Sequence, residues 1–196
     1  MRKLKVYHGT NAGFDRFDQS KARIPNDFWG GGVAYFTDDF GVAETYAASM
    51  KRSKGGDKIV YEVELRIDKM FDVDETFTGK ELTKFFKKRD SEDFARGAGL
   101  LRLGADKYSV LDDLEEGRLV LTGSEIFYGL SKGMVYTAKA RKRLEELGYD
   151  ALRYNGGVNM SMAKKHNVYL TYKAANAAIK QRSIIDASGN VYKKAA

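Results

Sequence analysis

Residues 59–67, Ile-Val-Tyr-Glu-Val-Glu-Leu-Arg-Ile, constrain the fold more than any other stretch of this chain. Tyr61, Val63 and Leu65 alternate with Glu62, Glu64 and Arg66, which is the pattern of a β-strand with one face buried and the other solvated. Such a strand needs neighbouring strands and an apolar layer over its inner face. The sequence offers both. Leu4–Tyr7, Val33–Thr37, Tyr149–Tyr154 and Asn167–Tyr172 are further short β-type runs, and Ser183–Tyr192 reads as a hairpin with Ser188-Gly189-Asn190 at its tip. Between the second of these runs and the chain's clearest strand, Asp38 or Asp39 is placed to cap a helix. Gly41–Lys51 continues that helix, with Val42, Thr45, Tyr46 and Ser49 at helical spacing. Ala174–Arg182 reads as a short helix or turn.

From Thr78 to Leu147 the period changes to helical, broken by glycines: Lys80–Lys88, Glu92–Leu103, Tyr108–Glu116, Ser124–Ser131 and Thr137–Leu147, with Gly148 as the stop after the last. The chain of 196 residues therefore reads as a single α+β domain, residues 1–196, with a helical insertion at about 78–147. Hydrophobic residues at 43% and aromatics at 12% supply a core for a domain of this size.

Several function classes drop out. There is no Cys, so disulfides, thiolate metal sites and a cysteine nucleophile are excluded, and with two histidines, His8 and His166, a multi-histidine metal centre is not expected. No apolar run suits a membrane span or a secretory signal, and a soluble protein is expected. The net charge of +7 is uneven: residues 132–196 carry 13 Lys and Arg against four acids, +9, leaving −2 for residues 1–131. That basic end suits phosphates, an acidic surface or simple solubility. Within it Lys139, Arg141, Lys142 and Arg143 beside Leu144 and Leu147 read as a surface helix with a solvated basic face. Phe85, Phe86, Phe127 and Tyr128 read as core aromatics of the helical stretch.

Three segments carry candidate chemistry: Tyr7-His8-Gly9-Thr10, then Gly32-Val33-Ala34-Tyr35-Phe36-Thr37 with Tyr46 eleven residues beyond Tyr35, then Asn167-Val168-Tyr169-Leu170-Thr171-Tyr172. A first strand delivers an imidazole and a glycine to its carboxyl end, and two tyrosines frame a π-rich slot in which a flat ring fits. The polar stretch Ser20–Gly32, with Pro25, Trp29 and Gly30-Gly31-Gly32, reads as a flap over that slot, and Asn155–Met162 as a flexible loop near it.

In order and spacing these segments resemble the H-Y-E class of ADP-ribosyltransferases, the diphtheria-toxin and poly(ADP-ribose) polymerase type, and especially the phage ADP-ribosyltransferase domains of polyvalent proteins. The likeness covers roughly residues 4–67 and 147–182. It implies a split β-sandwich of two mostly antiparallel sheets with NAD, the substrate, between them. It further implies that His8 bonds a ribose of NAD, that Gly9 and Thr10 hold the nicotinamide amide, and that Tyr35, Phe36 and Thr37 border the pocket, with the ring between Tyr35 and Tyr46. Active relatives begin the third segment with a glutamate that steadies the oxocarbenium-like state, and the best alignment puts Val168 there. The family triad thus becomes His8, Tyr35, Val168. Asp38, Asp39, Glu62, Glu64, His166 and Asn167 are the nearby polar groups weighed as substitutes, the two glutamates being expected on a solvated sheet face. The resemblance implies mono-ADP-ribosyl transfer from NAD to a host protein or nucleic acid, in the host cytoplasm or a virion interior. The alternative is a catalytically inactive member serving as an interaction or virion-structural module among virion proteins. A third reading uses the basic end to bind nucleic acid.

Overall fold

A computed structural model describes residues 1–18, 20, 34–54, 56–102, 105–156 and 165–195. They gather into two compact units, the first from the described parts of 1–70 and 153–195, the second from 71–152. The stretch 21–32 and residues 157–162, read from sequence as a flap and a loop, lie outside the described residues.

In the first unit the elements are β1 (Arg2–Thr10), β2 (Tyr35–Thr37), α1 (Phe40–Lys54) and β3 (Lys58–Ile67), before β4 (Met70–Asp72) leads the chain into the second unit. In the second unit come β5 (Thr76–Phe77), α2 (Gly79–Leu82), α3 (Ser91–Gly97), α4 (Lys107–Glu115), β6 (Leu121–Thr122), α5 (Gly123–Leu130) and α6 (Thr137–Glu146). The chain then re-enters the first unit along β7 (Ala151–Gly156) and finishes with β8 (His166–Thr171), β9 (Ala177–Ile185) and β10 (Val191–Ala195). Helices with one large and one small sheet make this an α+β protein, the class expected from sequence.

The large sheet of the first unit runs β10-β9-β3-β1-β2-β8-β7. β1 is its centre and pairs antiparallel with β3 from Arg2 opposite Ile67 to Thr10 opposite Ile59. On the other edge β1 meets β2 at one register position, Tyr7 opposite Thr37, and β2 continues antiparallel to β8 with Tyr35, Phe36 and Thr37 opposite Leu170, Tyr169 and Val168. Opposed residues point to the same side of a pleated sheet, and alternate residues to opposite sides. One face therefore carries Val6, His8, Phe36, Tyr61, Val63, Leu65 and Tyr169, and the other carries Tyr7, Gly9, Tyr35, Thr37, Val60 and Val168. The second face receives α1. Ala43 and Ala47 of that helix bury against Val60 and Ile185, with Tyr7 and Phe40 at the margin.

α1 begins where the sequence places it. The Asp39 carboxylate accepts from the Val42 amide at 3.0 Å, filling one of the donors a helix start leaves open. Small residues on its inner side let it approach the sheet closely. A Cβ on Gly9 would collide with the Ala43 carbonyl and stand 3.0 Å from the Ala47 amide nitrogen, so the glycine after His8 is demanded by the helix that covers it.

One sequence expectation is corrected here. Ala174–Arg182 is a 3-10 turn over Ala174–Asn176 only; from Ala177 the chain is β9, paired with β3, and the hairpin expected at Ser183–Tyr192 thus starts six residues earlier. The alanines favour helix locally, but the unpaired edge of β3 takes them as a strand, a case of tertiary context overriding weak propensity.

The second unit is a helical body around Phe71, Phe77, Phe85, Leu114, Ile126, Phe127, Leu144 and Tyr149, all buried. Thr122 and Glu125 form a reciprocal capping box on α5. The helix expected over Lys80–Lys88 shrinks to α2 and a turn, and Glu92–Leu103 to α3. The basic face expected on α6 is only half solvated. Lys139 and Lys142 are exposed, but Arg141 is buried and Arg143 donates to the carbonyls of Phe85 at 3.0 Å and Lys84 at 2.6 Å. Arg143 thus ties α6 to the turn at Lys84 and Phe85. No helix among the described residues is long and apolar enough to cross a membrane.

Candidate active site

His8 lies in β1 two residues from its end, and its position is fixed by the neighbouring strand: Nδ1 is 2.8 Å from the carbonyl oxygen of Tyr35. A carbonyl can only accept, so Nδ1 carries the proton and Nε2 keeps its lone pair. Burial lowers the pKa of the ring below its ordinary 6.5, against a smaller opposing effect of the bond to Tyr35, so the neutral tautomer is the resident form. Aromatic rings surround it, with Phe17 at 5.4 Å edge-on, Phe36 at 5.8 Å and Phe14 at 6.1 Å between centroids. His8 is therefore an imidazole of one tautomer, oriented by a backbone carbonyl and walled by apolar rings.

Phe14 and Phe17 reach His8 because the chain after β1 folds back over this face. Tyr61 of β3 anchors it: its hydroxyl accepts from the Phe14 amide at 2.7 Å and donates to the Phe14 carbonyl at 2.8 Å, with the two rings 4.5 Å apart. Sequence reasoning took Tyr61 only as an inward strand residue. The signal was a hydroxyl on an otherwise aliphatic face, since a buried tyrosine needs a partner for its OH.

Tyr35, Thr37, Gly9 and Val168 share the opposite, α1-covered face, and Tyr46 projects from α1 itself, half-buried, with desolvation raising its hydroxyl pKa. The structure thus brings Gly9, Tyr35, Thr37 and Val168 onto one face beside the helix of Tyr46. Only the His8 bond to the Tyr35 carbonyl joins them to the residues of the other face, Phe36 among them. Thr10 ends β1, its Oγ1 accepting from the Ala12 amide at 3.3 Å.

Val168 is 4% exposed and lies with His166 against Gly156 of β7. Its neighbour Asn167 points to the other face and is fully engaged: Nδ2 donates to Asp38 at 2.5 Å, the amide donates to the same carboxylate at 2.9 Å, and Oδ1 accepts from Arg153 at 3.0 and 2.6 Å. Asp38 and Asn167 thus lock β2 to β8. Asp39 is the cap of α1. Glu62 pairs with Lys5 at 2.7 Å and Glu64 with Arg66 at 2.9 Å, as a solvated sheet face predicts. None of these carboxylates is bonded to His8 among the described residues.

A family model described as ADP-ribosyltransferase in polyvalent proteins matches residues 2–181, and the chain belongs to that family. The match runs through the helical stretch that the sequence resemblance left out. Comparison with curated proteins gave no match, and neither did comparison with solved structures.

Proposed function

We propose that this member of the ADP-ribosyltransferase family binds NAD at β1, β2 and α1 and transfers single ADP-ribose units to a protein or nucleic-acid acceptor. The observation that carries the reading is His8. Its bond to the Tyr35 carbonyl leaves Nε2 as an acceptor for a ribose hydroxyl, and a lowered pKa keeps it so at neutral pH. Tyr35 lies on the same sheet face that α1 and Tyr46 cover, which suits a ring held between the two tyrosines, with Gly9 and Thr10 offering backbone groups to the amide and Phe36 and Thr37 bordering them. Support for the ribose contact and support for the ring slot come from opposite faces of the sheet, His8 with Phe36 on one and Tyr35, Thr37 and the helix of Tyr46 on the other. NAD supplies the labile bond to nicotinamide; the chain supplies orientation and an apolar surround.

Val168 qualifies the catalytic half of the reading. In the glutamate's place it gives no charge, which by ordinary electrostatic magnitudes leaves the rate roughly two to four orders lower. Asn167 does not replace it, because its side chain is spent on Asp38 and Arg153. The second reading, an inactive member acting as an interaction or virion-structural module, is favoured by this one residue. We take residues 78–147 as an insertion into a single ADP-ribosyltransferase-like domain, since the chain leaves the first unit after Met70 and returns at Arg153. A phage source and a place in host cytoplasm or virion belong to the same proposal and rest on the resemblance.

Calorimetric titration with NAD, followed by transfer of labelled NAD into lysate, separates the readings. Binding with label supports the transferase; absence of both binding and label removes it and leaves the inactive module; binding without label also favours the inactive module.

A further inference from the structure

The row of side chains that contains His8 continues across the sheet to a cation that meets no counterion among the described residues. Opposed register pairs run from His8 to Tyr61 and from Tyr61 to Arg182, and on the far side Arg182 stands opposite Lys194 of β10. All four point to one face. Arg182 is half-buried, its Nε is buried with no hydrogen-bond partner, and among the described residues its guanidinium meets no carboxylate. Like charges directly opposite on a sheet repel, and a part-buried guanidinium without a partner costs desolvation. Both costs disappear when an anion sits between Arg182 and Lys194. The turn after β1 backs the guanidinium: a Cβ on Gly13 would stand 2.6 Å from Nη2 of Arg182 and 3.1 Å from Cζ, so that the backbone at Gly13 lies directly against it. The Phe14 bonds to Tyr61 hold this turn in place from one residue away.

We propose that Arg182, seconded by Lys194, is a diphosphate-binding site, and that its occupant is the diphosphate of the NAD whose ribose His8 orients, a step that rests on the NAD reading above. Two strand spacings separate His8 from Arg182, about 10 Å between backbones, which the long arginine side chain shortens. The planar fork of a guanidinium suits two phosphate oxygens at once, and NAD has no other group that would neutralise paired cations.

The test is calorimetry on the full chain with inorganic pyrophosphate, ADP-ribose, NAD and nicotinamide in separate titrations. Expected is that Arg182→Gln weakens pyrophosphate, ADP-ribose and NAD by ~10–100-fold and leaves nicotinamide unchanged. Arg182→Lys recovers part of the loss, and Gly13→Ala, which displaces the guanidinium but keeps its charge, weakens pyrophosphate by a smaller factor. Thermal unfolding of each variant checks that the sheet is intact. Pyrophosphate bound equally by the wild type and Arg182→Gln, or not bound by the wild type, overturns the site. So does a loss for nicotinamide as large as that for pyrophosphate, because it marks a general structural defect. Pyrophosphate binding that Arg182→Gln abolishes, in a protein that takes up no NAD or ADP-ribose, upholds the anion site and removes the NAD reading instead.

Discussion

His8 donates from Nδ1 to the carbonyl oxygen of Tyr35 at 2.8 Å, so the imidazole of β1 and the backbone of β2 are joined just beyond the single position where the two strands pair. One bond thereby sets the tautomer of the ring and the approach of the strand that carries Tyr35.

The burial of that ring has a measurable pH signature, which the bond to Tyr35 only partly offsets. The pKa of His8 is lowered in the folded protein, so on acidification the unfolded chain takes up a proton near pH 6.5 while the folded one still refuses it. The contribution of His8 to stability is full above that pH and is lost as pH falls towards the lowered folded value. Urea unfolding of the wild type and of His8→Asn, whose amide can still donate to Tyr35 but does not titrate, is expected to differ in slope below pH 6.5 and to run parallel above it. Equal slopes at low pH would remove the buried neutral imidazole from the account.

Replacing Gly9 by Ala is expected to destabilise the first unit by about 1–3 kcal/mol or more, the usual cost of overpacking. The added methyl meets the backbone of α1 at Ala43 and Ala47, which a side-chain rotation cannot relieve. The helix must move away from β1, and Tyr46 moves with it. Denaturation midpoint and NAD affinity are expected to fall together; a variant as stable as the wild type would contradict the close approach.

Tyr61→Phe removes one oxygen and strands two backbone groups, the amide and carbonyl of Phe14. The expected loss is about 1–3 kcal/mol by equilibrium unfolding, because unsatisfied polar groups cost more than the hydrogen bonds were worth. The turn over His8 loosens as well, and faster amide exchange at Phe14 is the local readout.

Much of this arrangement was legible in the sequence, for identifiable reasons. β3 announced itself by alternation, α1 by Asp39 and by the spacing of Val42, Thr45 and Tyr46, and the His8 and Tyr35 segments by their order. β5 and β6, with two residues each, are too short to show any period. β9 was hidden by its alanines, and with it Arg182, which local pattern placed at the end of a short helix or turn and which the register places in the row of His8. Nor does local sequence report that Asn167 is spent on Asp38, 129 residues away, or that Arg143 ties down carbonyls 58 and 59 residues back. Local pattern reveals elements; long-range pairing decides which side chains are left for a ligand.

In the proposed slot Tyr46 would supply one of the two rings, so Tyr46→Phe is expected to keep NAD affinity and Tyr46→Ala to weaken it by about tenfold, the order of one lost aromatic contact with its buried area. The pair separates ring from hydroxyl, whose pKa burial raises and whose charge therefore plays no part at neutral pH. Equal loss in both variants would shift the role to the hydroxyl.

The decisive substitution is Val168→Glu. Val168 shares its sheet face with Tyr35 and Thr37, so a carboxylate there enters the α1-covered side and not the side of Phe36 and Asn167. It also enters a position that is 4% exposed, beside His166, and burying it is expected to cost stability unless an ionised ligand group or the imidazole compensates. If the pocket is otherwise competent, nicotinamide release from NAD rises by roughly two to four orders of magnitude over the wild type. Val168→Gln, which adds similar bulk without charge, is expected to lose stability and gain no rate. Release that stays at the wild-type level in Val168→Glu, in a protein that still binds NAD and still unfolds cooperatively, means that the glutamate's absence is not what limits transfer, and the inactive-module reading then takes precedence.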